Sequence, residues 1–183
     1  SFAQGNTGAL IRETAGETGT YTVKVYEYGN DETGDYLLHF VKIPAANSAP
    51  DLFDGDGGLL ASNTTTAAAI DTPGDIDVYA VNATAGERMI FSVGEVTPEY
   101  EPYIELYGPG GAQAAPPAQG NFSALIESVA GTSGTYTLVV YEYGNDEIGD
   151  YLLHFAKIPD AANATANPID GDGGVLSSNT TTA

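Results

Sequence analysis

"YEYGNDETGDYLLHF" runs from Tyr26 to Phe40, and "YEYGNDEIGDYLLHF" runs from Tyr141 to Phe155. Fifteen residues recur 115 positions apart with one difference, Thr33 in the first copy and Ile148 in the second. Working outward, residues 3–44 and 118–159 align without a gap and share 31 of 42 positions. After a linker the match resumes: "DGDGGLLASNTTTA" at 54–67 answers "DGDGGVLSSNTTTA" at 170–183, now 116 apart. A period of about 116 residues is that of tandem domains, far above the 20–50 of solenoid repeats.

The repeat divides the chain. Residues 1–44 read as the C-terminal part, about three strands, of a preceding unit, and 45–53 as a linker. Residues 54–159 are a complete unit, 160–169 a second linker, and 170–183 the start of the next unit. The second linker is rich in Ala, Asn and Pro without an apolar stripe, which suits a short inter-domain connector.

Within the unit the apolar spacing has a period of two. "TYTLVVYEY" sets Tyr136, Leu138 and Val140 on one face and Thr137, Val139 and Tyr141 on the other. The first copy has Lys24 in the place of Val139 but keeps Tyr21, Val23 and Val25 apolar, which marks the Tyr136 face as the buried one. The same alternation turns Met89, Phe91 and Val93 inward, with Ile104, Leu106, Tyr151, Leu153 and Phe155. "TPGD", "TAGE", "GPGG", "AGTSG" and "YGNDEIGD" mark turns. No stretch combines helical periodicity with caps. Six to eight short strands at this spacing predict an all-β, antiparallel β-sandwich.

Twenty-five acidic residues against five basic ones give a net charge of −20. Such a surface repels nucleic acid and anionic membranes, because phosphate binding needs clustered Lys and Arg. No apolar run is long enough to span a bilayer, so no membrane insertion is expected. The absence of Cys removes disulfides and thiolate metal sites together.

"GDIDVYAVNATAGERMIFSV", "YEPYIELYGPGG" and "GTYTLVVYEYGNDEIGDYLLHF" together resemble the bacterial pre-peptidase C-terminal (PPC) domain family. That family shows a G-D-x-D-x-Y strand, an A-G-E turn, an L-Y-G-P-G hairpin and a G-T-Y-T strand followed by G-D-Y-x-L. The "DGDGGLL" opening resembles its tandem versions in large secreted and surface proteins. The resemblance implies a jelly-roll-like sandwich, often an accessory module beside an enzyme, in some cases binding calcium or an extracellular polymer.

No catalytic constellation emerges. "GTSG" lacks the frame of a nucleophile elbow, and His39 and His154 are one repeat position seen twice. Hard cations take clustered Asp, Asn and backbone carbonyls, so calcium is the one cofactor the sequence suggests. Its candidate ligands are Asp54 and Asp56, repeated as Asp170 and Asp172, with Asn145, Asp146 and Asp150 of the "GNDEIGD" loop. Ordinary turn chemistry accounts for the same residues, as it does for Asp75 and Asp77 at a strand start. Five Asn-x-Ser/Thr sequons, at Asn63, Asn82, Asn121, Asn163 and Asn179, are candidate glycosylation sites in an exported protein. Tyr100, Tyr103 and Tyr107 alternate with Glu99, Glu101 and Glu105, a pattern for tyrosines packed across strands on a sheet exterior or for a sugar platform.

Three strands of about 40 residues bury too little surface to fold alone and leave free edges. The expectation is a non-enzymatic, exported, repetitive structural protein whose partners are other copies of itself, joined end to end as a tandem array or by strand exchange into a filament or stalk. The alternative is an accessory module that attaches a secreted hydrolase to glycans or another extracellular polymer. A salt-adapted surface-layer repeat is a third possibility, suggested by the acid excess.

Overall fold

The structure is a computed structural model that describes residues 3, 5, 8–43 and 55–158. Nine strands form in chain order: β1 (Gly58–Leu59), β2 (Thr64–Ile70), β3 (Ile76–Ala83), β4 (Arg88–Glu95), β5 (Pro102–Tyr107), β6 (Ala118–Gln119), β7 (Ser123–Val129), β8 (Gly134–Glu142) and β9 (Gly149–Ile158). They make two sheets, one ordered β1-β3-β8-β5-β6 and the other β2-β9-β4-β7. No helix occurs among the described residues. The fold is therefore the all-β sandwich expected, with all its ladders antiparallel except that of the two-residue β1, which runs parallel to β3.

Glycine lets that short ladder form. Gly57 has φ +91, and a Cβ there would lie 2.6 Å from the Val78 carbonyl oxygen. Only a residue without a side chain lets the chain at Gly57 press against β3.

The alternating residues fill the space between the sheets. Met89, Phe91, Val93, Ile104, Leu106, Tyr151, Leu153 and Phe155 are all buried in one cluster with Tyr136, Leu138 and Val140. Phe91 and Phe155, paired in register on β4 and β9, stack with ring centroids 4.8 Å apart. The opposite face of β8 is buried as well: Thr137, Val139 and Tyr141 have almost no exposed surface. The period-two pattern identified the core face of β8 but not the cover on its other side. β8 is the central strand of five, and Arg12 from the N-terminal copy lies over Tyr141 there.

The N-terminal copy takes another form. Described residues 8–43 contain no strand, where about three were expected. Most of their apolar side chains are exposed: Phe40 is 79% accessible and Tyr36 67%, whereas the repeat-equivalent Phe155 and Tyr151 are 2% and 0%. Among the described residues there is one β2–β5 frame, and β7–β9 already occupy it.

Two local motifs nevertheless form in both copies. Tyr21 donates its hydroxyl to the Glu17 carbonyl at 2.9 Å, and Tyr136 donates to Thr132 at 3.0 Å. Glu27 accepts from the Gly29 and Asp31 amides, and Glu142 accepts from Gly144 and Asp146, at 2.8–3.1 Å. Asn30 and Asn145 share the left-handed conformation of that turn, at φ 58 and φ 56.

Candidate functional site

Three places combine polar chemistry with structure: the acidic turn joining β8 to β9, the tyrosines between the sheets, and the outer face of the five-stranded sheet.

At the acidic turn, the buried Glu142 closes the loop by accepting from Gly144 N and Asp146 N, and at 3.5 Å from Glu147 N. Asn145 supplies the positive φ, and its amide donates to the Glu142 carbonyl at 3.2 Å. Asp150 lies apart on β9, where the Thr97 hydroxyl donates to its carboxylate at 2.9 Å and its own amide donates to the Thr97 hydroxyl at 3.1 Å. An open cavity of about 510 Å³ adjoins the turn, lined by Glu95, Glu99, Glu101, Glu142 and Glu147 with Asn121 at its rim. Desolvation raises the Glu147 carboxyl above its ordinary value, and the neighbouring Glu142 and Asp146 charges act in the same direction.

Of the remaining calcium candidates, Asp56 accepts from the Ala69 amide at 2.8 Å and so fastens the opening segment to β2. Asp54, Asp170 and Asp172 lie outside the described residues. Among the described residues no group of three or more His, Asp or Glu is arranged to hold a metal ion. Asp75 accepts from the Asp71 and Ile76 amides at 3.1 and 2.8 Å, the turn role expected of it. Of the sequons, Asn63 occupies a turn at φ 60, and the exposed Asn82 accepts from the Thr135 hydroxyl at 2.8 Å. Asn121 is exposed beside the acidic cavity, and Asn163 and Asn179 lie outside the described residues.

Between the sheets is a network that the sequence did not disclose. Tyr151 of β9 donates to the Asp77 carboxylate of β3 at 2.5 Å, and its hydroxyl meets that of Tyr79 at 2.9 Å. Tyr100 stacks on Tyr151 at 5.8 Å and is wholly buried, not on a sheet exterior as its alternation with Glu suggested. Gly149 makes the room, because a Cβ there would lie 2.8 Å from that of Tyr100. Burial raises the phenols of Tyr79, Tyr100 and Tyr151 well above the ordinary tyrosine range, with the Asp77 charge adding to it. The network links the two sheets through groups about 70 residues apart, and the only sequence signal was the G-D-x-D-x-Y pattern itself.

On the outer face, Tyr103 packs tilted against Tyr141 and stacks on Tyr143, with centroids 4.8 and 5.8 Å apart. Tyr107 donates to the Glu105 carboxylate at 3.0 Å, and burial together with that carboxylate pushes its phenol up to about 12. Arg12 completes the patch: its guanidinium lies 5.3 Å from the centre of the Tyr141 ring, donates to the Tyr141 hydroxyl, and stands 3.4 Å from Glu105. The arrangement holds a cation against aromatic faces and a nearly buried carboxylate.

No protein-family model matches the chain, and no curated protein sequence matches it. Among solved structures it is similar to the pre-peptidase C-terminal domain of collagenase from Bacillus anthracis, at 25% identity and a TM-score of 0.45, over 53% of this chain and 91% of that one. It is also similar to PliG of Aeromonas hydrophila, a periplasmic lysozyme inhibitor of g-type lysozyme, at 20% identity and 0.42, over 51% and 83% of the two chains. The corresponding inhibitor of Salmonella Typhimurium matches at 17% identity and 0.39, over 54% and 95%. Among the described residues no helix is long and apolar enough to cross a membrane.

Proposed function

We propose that this chain is a non-enzymatic structural repeat of an exported bacterial protein, made to be strung end to end into an extracellular filament or stalk. The observation that carries the reading is the contrast between the two copies. Residues that are core in β7–β9 are solvent-exposed in residues 8–43, with 31 of 42 positions shared between the aligned stretches. A surface that matches a known groove and lacks it is a connector.

Stoichiometry supports a partner of the same kind. The described residues hold two β7–β9 sequences and one β2–β5 frame, so closing residues 8–43 into a sandwich takes the frame of a further unit. Where that frame belongs to another copy, the contact is head to tail, and head-to-tail contacts that do not close into a ring build open arrays. The acid excess keeps a surface of this kind soluble and disperses neighbouring arrays.

Negative-stain electron microscopy of the protein from its native source tests this reading. Filaments with an axial repeat of a few nanometres, the scale of one small domain, are expected. Isolated compact particles would contradict it. The accessory-module alternative draws on one observation, the Tyr103–Tyr141–Tyr143 ladder, whose aromatic faces suit sugar rings. It requires affinity for an extracellular polysaccharide that is lost in Tyr143→Ala.

A further inference from the structure

The outer face of the five-stranded sheet carries an unusual set of groups for a solvated surface. Glu105 is a carboxylate with only 9% of its side chain accessible, and Thr137, Val139 and Tyr141 of β8 are buried on the side away from the core. Arg12, one of only five basic residues in the chain, reaches this face from the N-terminal copy. A second contact comes from the same copy: His39 Nδ1 lies 3.3 Å from Asp75 Oδ1.

Folding of the N-terminal copy would leave both side chains available. The residues equivalent to Arg12 and His39 are Glu127 on β7 and His154 on β9. Both are exposed, and their strands flank β4 in the four-stranded sheet. Their neighbours Ile126, Leu153 and Phe155 point into the core, so Glu127 and His154 share the outer face of that sheet. A completed preceding unit would therefore present Arg12 and His39 together on one surface. At this position the two copies carry opposite charges, Arg12 in the first and Glu127 in the second, and Glu127 is engaged by Arg88 of its own sheet at 3.4 Å.

We infer that Arg12 and Glu105 form a unit-to-unit docking contact, in which the outer face of one sandwich's four-stranded sheet lies against the outer five-stranded face of the next. The inference rests on the array reading given above and adds to it the two faces that meet. Tyr141 supplies the ring on which the guanidinium rests, and Tyr107 orients Glu105. An ion pair on a half-buried aromatic surface is screened less by salt than one in open water.

The test uses this chain with its residues 54–117 placed ahead of residue 3, which joins a second β2–β5 frame to the N-terminal copy. Hydrogen exchange first reports whether residues 8–43 have folded, and NMR relaxation then reports whether the two sandwiches tumble together. One shared rotational correlation time is expected. Arg12→Glu should release the units into separate, faster tumbling, and adding Glu105→Arg in the second sandwich should restore the shared time. Arg12→Glu installs the residue that the second copy already carries, so its effect on tumbling is not a folding defect. Independent tumbling of two folded sandwiches, or no response to either substitution, would overturn the docking contact and leave the array standing. Residues 8–43 remaining unprotected would overturn both.

Discussion

Residues 8–43 and residues 123–158 are nearly the same sequence in two conditions. In the second copy Tyr136, Tyr151, Leu153 and Phe155 close the core. In the first their equivalents Tyr21, Tyr36, Leu38 and Phe40 are exposed, and no strand forms among residues 8–43. What survives in both is local: the tyrosine hydroxyl reaching back four residues to a carbonyl, and the glutamate-closed turn with its left-handed Asn. Turn geometry is dictated by residues within five positions of one another. Strand formation is not, because β-propensity is mostly the fit of a side chain to neighbours on a pleated, half-buried surface. Besides ten substituted positions, the copies differ in the presence of a frame.

The largest consequence concerns Phe155 and Phe40. Phe155→Ala removes a ring stacked on Phe91 inside the core and should cost about 3–5 kcal/mol, whereas Phe40→Ala should change the stability of the chain by less than about 0.5 kcal/mol. Urea unfolding of the two variants checks this, and equal costs would break the comparison.

Next comes alkali. Tyr79, Tyr100 and Tyr151 have phenols held above their ordinary value mainly by burial. The unfolded chain then loses these protons first as pH rises. The stability of keeping them neutral is complete below about pH 10 and declines above it, by about 1.4 kcal/mol per pH unit for each phenol involved. Urea midpoints at pH 8, 10 and 11 should fall in that order. Tyr151→Phe should lower the midpoint at pH 8 as well, because it takes from Asp77 the hydroxyl that donates to it at 2.5 Å.

The smallest effect separates the two turns. Glu142→Ala removes the acceptor of the Gly144 and Asp146 amides in a part-exposed turn and should cost about 1 kcal/mol. Glu27→Ala should be silent in the unfolding curve, although the Gly29 amide and its neighbours hold the Glu27 carboxyl below its ordinary value. A matching loss at both positions would mean that residues 8–43 unfold as part of the sandwich.

The sequence disclosed what repeats and what alternates. Met89, Phe91 and Val93, or Tyr151, Leu153 and Phe155, declare their face because one side of each strand meets the core and the other does not. It did not disclose partnerships between distant residues. Asp77 looked like a turn acid, yet its partner Tyr151 is 74 residues away on the facing sheet. Tyr100 looked like one of three surface tyrosines, and the space it fills was made by Gly149. The acid-rich loops read equally as cation ligands or turn caps. In the structure Asp56 and Asp150 bond to Ala69 and Thr97, and the turn is closed by Glu142, a residue the ligand pattern passed over.

The most direct measurement is amide hydrogen exchange of residues 8–43 in two samples: this chain, and the same chain with residues 54–117 placed ahead of residue 3. The account predicts near-free exchange in the first apart from the two local turns, and in the second a rise of about a thousandfold or more, the protection of a folded domain of about 5 kcal/mol. Unchanged exchange with the added frame in place would contradict the claim that residues 8–43 are a sandwich waiting for its other half.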